Sequence, residues 1–201
     1  MIFETRKIDF PSSPNLVKSD AWIDRSWLGV KDREFAEGFG CDLAKVLGRR
    51  KPYRARWSRR RRRWVAEGWS HLLYGFLQQP LEKLEPFIEH HKECVAAFLR
   101  AFFDGEGSIH RHERRLTVYN TDRELLIYIK GLLKRYFDID STGPHLGQKS
   151  GRVIRSHAKV YRSNKDCYRI NIRTHSLPRF HKDIGFTIER KQRRLAEAAK
   201  K

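Results

Sequence analysis

Two carboxylates close an apolar run in the middle of the chain. The segment AAFLRAFFDGEGSI, residues 96–109, carries Asp104 and Glu106 in its last turn and then stops at Gly107. The C-terminal end of a helix already bears partial negative charge, so acidic side chains are unfavourable there. Acidic side chains placed against this local preference suggest a functional site. Carboxylate oxygens are suitable ligands for Mg²⁺. The pattern therefore predicts a buried helix that presents carboxylates to a divalent cation.

Small residues recur along the same predicted helix. Ala97, Ala101 and Gly105 are four positions apart and therefore share one helix face. Small side chains allow a second helix to approach closely, while the apolar residues between Phe98 and Phe103 anchor the remaining faces in a core. The alternative is a surface helix end with two solvated acids.

The net charge points to a polyanionic partner. Lys and Arg total 43 against 24 Asp and Glu, which gives +19 at neutral pH. Nucleic acid is the leading candidate, and an anionic membrane surface is a weaker one. No apolar run approaches the roughly 18 residues of a spanning helix, so no membrane segment is expected. Three widely spaced cysteines fit neither a disulfide framework nor a zinc site, which favours a cytoplasmic location.

Two basic segments are predicted to contact the polyanion. Residues 49–64 hold ten Lys or Arg and no acid, with five consecutive arginines in a turn between strands expected at about 53–58 and 63–68. Residues 145–169 form a second basic stretch, and YRINIR (168–173) alternates with the period of a half-buried strand. Arginine-rich ribbons without an aromatic platform favour duplex DNA over single-stranded RNA. The alternatives are disordered basic loops and a solvated sheet face. The predicted DNA-binding residues are Arg54, Arg56, Arg59, Arg60, Arg61, Arg62, Arg63, Lys149, Arg152, Lys159, Arg162, Lys165, Arg169, Asn171 and Arg173.

The two halves of the chain resemble each other. WLGVKDREFAEGFGCDLAKVLG (27–48) echoes RLTVYNTDRELLIYIKGLLKRYF (115–137), and WVAEGWSHLLYGF (64–76) echoes YRINIRTHSLPRF (168–180). Each unit reads as helix, strand pair, helix, strand pair and helix. The sequence therefore predicts two domains, at residues 1–85 and 86–201.

The stretch LRAFFDGEG (99–107) resembles the LAGLIDADG motif of homing endonucleases, and its flanks resemble archaeal intron-encoded members. The resemblance implies an α+β fold with two pseudo-symmetric αββαββα domains that form a saddle. It also implies a site-specific double-stranded DNA endonuclease, intron-encoded and cytoplasmic in a prokaryote, that hydrolyses phosphodiester bonds with Mg²⁺ or Mn²⁺. The first domain departs from the pattern, because no good motif precedes the strand at 27–30, and we expect this domain to be truncated or degenerate at its N-terminus.

Carried over by the resemblance, Glu106 is the metal-binding acid and Asp104 a secondary one. The candidate for the second catalytic and metal-binding acid is Asp20, within residues 13–23. The family also uses a basic residue near the metals. The echo between FIEHHK and FTIERK offers Lys92 and Lys191 for that catalytic role.

Three arrangements of the second acid stay open. Asp20 supplies it within one chain, or two chains pair and contribute two Glu106 residues, or the protein binds DNA without cutting. A monomer with two pseudo-repeats is favoured over a homodimer. The alternative functions are an RNA maturase that binds intron RNA and a non-cleaving DNA-binding protein on the same fold.

Overall fold

The chain divides into two compact units, one ending at Phe87 and the other beginning at Ile88. A computed structural model describes residues 25–110, 113–156 and 159–200. The boundary expected from the sequence lay between residues 85 and 86. The candidate helix at 13–23, with Asp20, lies outside the described residues.

The second unit is built on a four-stranded antiparallel sheet in the order β4-β5-β9-β6. A separate hairpin, β7-β8, is inserted between β6 and β9. The elements are α4 (Lys92–Glu106), β4 (Gly107–His110), β5 (Arg115–Asn120), α5 (Arg123–Phe137), β6 (Ser141–Gln148), β7 (Val153–Ser156), β8 (Lys159–Arg162), β9 (Cys167–Ile172), a 3₁₀ turn (Thr174–Ser176), α6 (Leu177–Asp183) and α7 (Glu189–Ala199).

The first unit repeats part of this plan. Its three strands lie in the order β1-β3-β2, which matches the order β5-β9-β6 of the second unit. The elements are β1 (Arg25–Val30), α1 (Arg33–Val46), β2 (Arg56–Ser58), β3 (Arg63–Trp69), α2 (His71–Leu77) and α3 (Leu81–Ile88). The shared strand order confirms the internal repeat predicted from the sequence.

The predicted arginine turn is also correct. β2 and β3 pair antiparallel with Ser58 opposite Arg63, so residues 59–62 form the connection. Arg62 adopts a positive φ of 50°, a conformation that tight turns require and most residues avoid. The hairpin therefore carries four arginines in its turn.

The core of the second unit fills the space between the helices and one face of the sheet. In β9, Ile170 and Ile172 are buried, whereas Arg169 and Asn171 point to the opposite face. Full burial of an apolar side chain contributes about 1.5–3 kcal/mol. The helix side of the core includes the fully buried Leu99, Phe102, Phe103, Leu126, Ile129, Leu132, Leu133 and Phe180.

Within the described ranges, none of the helices has the length and apolar character needed to cross a bilayer.

Candidate metal and DNA site

The two acids at the end of α4 lie in different environments. The Asp104 side chain is buried, with 3% of the residue exposed, whereas Glu106 is exposed. Two positions along a helix correspond to a rotation of about 200°, so the two carboxylates leave opposite sides of α4. Only one of them is therefore presented to solvent.

Asp104 binds backbone amides just before α7. Its Oδ2 accepts a hydrogen bond from the Thr187 amide at 3.0 Å, and its Oδ1 accepts one from the Ile188 amide at 3.2 Å. Burial raises the pKa of the Asp104 carboxyl, and these two hydrogen bonds oppose the rise. Both oxygens face the interior of the unit, so the sequence prediction of Asp104 as a metal ligand is corrected to a structural acid beside the start of α7.

Lys191 lies in the first turn of α7 and is 8% exposed. Its Nζ donates to the carbonyl oxygens of Asp104 at 2.6 Å, Gly107 at 2.7 Å and Phe103 at 3.2 Å. The last carbonyls of a helix lack intrahelical partners and favour a nearby cation. This geometry supports a role for Lys191 in holding the end of α4, and its expected role in polarising water stays a prediction.

Lys92 is not placed near Glu106. It is the first residue of α4, and the fourteen-residue rise to Glu106 separates the two by roughly 21 Å along the helix axis. Its ammonium lies 5.2 Å from the centroid of the Phe137 ring. The sequence prediction of Lys92 as a catalytic residue beside the metal is therefore corrected.

Glu106 lies where α4 runs directly into the sheet, since β4 begins at the next residue. Burial raises the pKa of the Cys167 thiol at the start of β9, and the negative charge of Glu106 adds to that rise. The carboxylate is therefore electrostatically coupled to the sheet end at which β9 begins.

The face of this sheet away from the core is polar. Ser108, Thr117, Asn171 and Thr142 are neighbours in register across the four strands. The Thr117 hydroxyl donates to Asn171 Oδ1 at 2.8 Å. Amide and hydroxyl groups at such positions can donate to and accept from base edges. We call this surface, with Ser108, Thr142, Tyr119, His145, Arg169 and Asn171, the open face; Thr117 lies in the same register but is fully buried.

The predicted DNA-binding residues of the second unit fall into two places. Arg169 and Asn171 lie on the open face, and Arg173 follows the end of β9 with its side chain exposed. The others lie around the β7-β8 hairpin, where Lys149, Arg152, Arg162 and Lys165 are exposed and Lys159 is the first residue of β8.

All the predicted arginines of the first unit are exposed, although several contact neighbouring residues. Arg56 forms an ion pair with Glu67, and Arg63 donates to the Gly29 carbonyl at 3.2 Å. The guanidinium of Arg61 lies 4.6 Å from the centroid of a Trp27 ring. The remaining predicted residues are Arg54, Arg59, Arg60 and Arg62.

The helix-packing residues share a face of α4, as predicted. Ala97 and Gly105 are exposed and Ala101 is half-buried, and a Cβ added at Gly105 would meet nothing within 4 Å. Their contact with a second helix stays a prediction.

The protein side chains fit Mg²⁺ only if nucleic acid supplies further ligands. Among the residues that the structure describes, no group of three or more His, Cys, Asp or Glu side chains could hold a metal. Mg²⁺ is typically held by one or two carboxylates together with substrate phosphates and water. A single exposed Glu106 is therefore suitable as one protein ligand in a site that nucleic acid would complete.

Some open-face residues were not predicted from the sequence. Leu116 and Val118 alternate with Thr117 and Tyr119 in RLTVYN, a period-two sequence pattern that could have identified Tyr119, although the structure buries Thr117 as fully as its two neighbours. The alignment of His145 with Arg169 depends on irregular register between β6 and β9, for which the sequence carries no simple pattern.

Comparison with known proteins identifies a family for the second unit. The family model described as "LAGLIDADG-like domain" matches residues 93–185. An uncharacterised protein of Methanocaldococcus jannaschii is 37% identical over 137 residues, which are 68% of this chain and 48% of that protein. The DNA polymerase II large subunit of Thermococcus kodakarensis is 30% identical over 106 residues, half of this chain and 6% of the subunit. The chain thus spans about half the length of the first relative and a small part of the second.

Solved structures extend the likeness to the fold. The homing endonuclease I-DmoI in complex with DNA and Ca has a TM-score of 0.55 and 18% identity, covering 80% of this chain and 74% of that one. Full-length WhiA from Thermotoga maritima has a TM-score of 0.50 and 16% identity, covering 88% and 52%. With the motif at the end of α4, residues 93–185 of the chain form a domain of the LAGLIDADG family.

Proposed function

We propose that the protein is a site-specific endonuclease that hydrolyses phosphodiester bonds of double-stranded DNA with a divalent metal. The observation that carries this proposal is the separation of the two acids of α4. Asp104 is buried against α7, and Glu106 is exposed where the helix meets the sheet. Glu106 is thus the acid that a hydrated cation and a phosphate can reach.

The comparisons support nucleic acid as the substrate class. I-DmoI structures of the same fold are complexes with target DNA in the presence of Mg, Ca or Mn. The net charge of +19 suits binding to phosphates, because each neutralised phosphate releases counterions. Double-stranded DNA and a divalent cation are the proposed partner and cofactor of this chain.

Different parts of the chain would bind phosphates, read base edges and hold the metal. Exposed arginines around residues 59–63 and basic residues around the β7-β8 hairpin would hold phosphates, and the open face would read base edges. Glu106 would hold the metal, which when bound polarises the phosphodiester and activates water for in-line attack. Asp20 is the proposed second acid, supplied within a monomer of two pseudo-repeats.

The test is cleavage of duplex DNA with Mg²⁺ or Mn²⁺, using a randomised-site library and the uninterrupted DNA that flanks the reading frame. Glu106→Gln is expected to lower the single-turnover cleavage rate at least about 100-fold, because a metal contributes several kcal/mol to the transition state. Glu124→Gln is the matched control, since Glu124 is an exposed acid in the first turn of α5. Cleavage by Glu106→Gln at the parent rate would contradict the proposal.

The same assay separates the two alternatives. A non-cleaving DNA-binding protein is favoured by one observation, namely that Lys92 lies at the opposite end of α4 from Glu106 while Lys191 Nζ donates to backbone carbonyls. That function predicts duplex binding with a steep salt dependence and no nicking with any metal. An RNA maturase predicts tight binding of intron RNA that survives Glu106→Gln.

A further inference from the structure

We propose that Lys191 is a positioning residue for Glu106, acting through the backbone at the end of α4. This inference rests on the proposed function, because it concerns the acid that would hold the metal. Lys191 reaches the backbone on both sides of Glu106, with Asp104 before it and Gly107 after it. The ammonium therefore fixes the peptide segment from which the carboxylate projects.

The contact between α4 and α7 is reciprocal. A carboxylate of α4, Asp104, accepts hydrogen bonds from amides at the start of α7, and an ammonium of α7, Lys191, donates to carbonyls at the end of α4. Each charge meets the helix end of opposite partial charge. We call this pair of contacts the crossed clamp. Because both side chains are buried, water screens the clamp far less than it screens a surface ion pair.

The backbone at this point leaves little freedom for adjustment. A Cβ added at Gly107 would lie 2.5 Å from the Phe103 carbonyl oxygen, so the chain must turn tightly as α4 passes into β4. Lys191 also donates to that carbonyl, at 3.2 Å. Without the ammonium, the end of α4 would lose a shared donor to three carbonyl oxygens, and Glu106 would follow its backbone.

The chain offers a matched control at the other end of α7. Arg114 Nε donates to the Ala198 carbonyl at 3.0 Å, so it also joins a cationic side chain to a helix-end carbonyl. Ala198 is seven residues beyond Lys191, or about 10 Å along the axis. Arg114→Met would loosen α7 without removing a contact beside Glu106.

The experiment compares Lys191→Met with Arg114→Met in the full chain. In metal-free protein, Lys191→Met is expected to increase amide hydrogen exchange of residues 103–107 at least about tenfold, and Arg114→Met to leave those amides unchanged. In cleavage at saturating DNA, Lys191→Met is expected to lower the rate up to about 100-fold with DNA affinity within about twofold of the parent, because small displacements of a catalytic group have effects of that size.

The outcomes separate this inference from the proposed function. If the parent protein cuts no DNA, the proposed function fails, and hydrogen exchange still tests the crossed clamp. Unchanged exchange at 103–107 in Lys191→Met, or an equal increase in both variants, would overturn the inference. If Lys191→Met does not fold, Lys191→Gln replaces it, because its amide is one bond shorter than the ammonium and carries two N–H donors for three carbonyls, so exchange at 103–107 is still expected to increase. Parent-like exchange and cleavage in that variant would also overturn the inference.

Discussion

The helices α1 and α5 occupy equivalent places in the two units, but their buried faces differ in side-chain size at one position. Asp32 and Asp122 precede them, and both helices end near a residue with positive φ, Gly48 at 64° and Asp138 at 48°. The fully buried position of α5 at Leu126 corresponds to Ala36 in α1. At this position the second unit uses a large side chain and the first a small one, whereas Leu43 and Leu133 are equivalent leucines.

Glycines account for much of the difference. A Cβ added at Gly40 of α1 would overlap the Tyr53 carbonyl oxygen, and one at Gly68 of β3 would lie 2.8 Å from a Leu43 methyl group. At Gly40 the neighbouring backbone leaves no space for a side chain, whereas at Gly68 the ends of the Leu43 and Tyr53 side chains would have to move. The packing of α1 therefore includes a close backbone contact at Gly40, whereas the glycine of α5, Gly131, would meet only the Arg135 side chain.

The largest effect is expected when a buried leucine is truncated at equivalent positions of the two units. Leu133 in α5 and Leu43 in α1 are 0% and 1% exposed. Leu133→Ala is expected to lower the free energy of unfolding by about 3–5 kcal/mol and Leu43→Ala by about 2–3 kcal/mol, because cavities in larger cores collapse less. Urea denaturation followed by circular dichroism measures both losses. A loss of unfolding free energy for Leu43→Ala that equals or exceeds the loss for Leu133→Ala would contradict the proposed difference between the two cores.

A second substitution tests the close contact in the first unit. Gly40→Ala is expected to lower the free energy of unfolding by about 1–3 kcal/mol, because backbone atoms must move to accommodate the methyl group. Gly38 lies in the same helix with nothing within 4 Å of an added Cβ. Gly38→Ala is therefore expected to raise the free energy of unfolding by about 0.5–1 kcal/mol through helix propensity. The same sign for both variants in thermal or urea denaturation would contradict this explanation.

The repeat and the motif could be predicted from the sequence because both depend on local patterns. The hydrophobic period of α4, the strand alternation before residue 173 and the arginine turn at 59–62 each lie within a short segment. The prediction for Lys92 was wrong because the echo joined unlike elements. FIEHHK leads into α4, whereas FTIERK leads into α7.

The roles of Asp104 and Lys191 could not be obtained in that way. Their hydrogen bonds join residues more than 80 positions apart, and no local pattern indicates which carbonyls a lysine in α7 will contact. The sequence could show that acids at the end of α4 required an explanation. It could not show that the first acid packs against α7 while the second remains exposed.

The smallest expected effect concerns charges that the second unit has and the first lacks. Hydrogen bonds from Lys134 and His175 lower the pKa of the half-buried Asp140 carboxyl, just before β6, to about 2, whereas residues 47–55 between α1 and β2 include no acid. An acid with a lowered pKa stabilises the fold above its ordinary pKa of 3.8, and this contribution disappears as the pH falls toward 2. Asp140→Asn should therefore unfold at lower urea than the parent at pH 7, with the difference shrinking through this range. If the difference between Asp140→Asn and the parent persisted unchanged at pH 2, Asp140 would contribute through its shape or a neutral hydrogen bond and not through its charge.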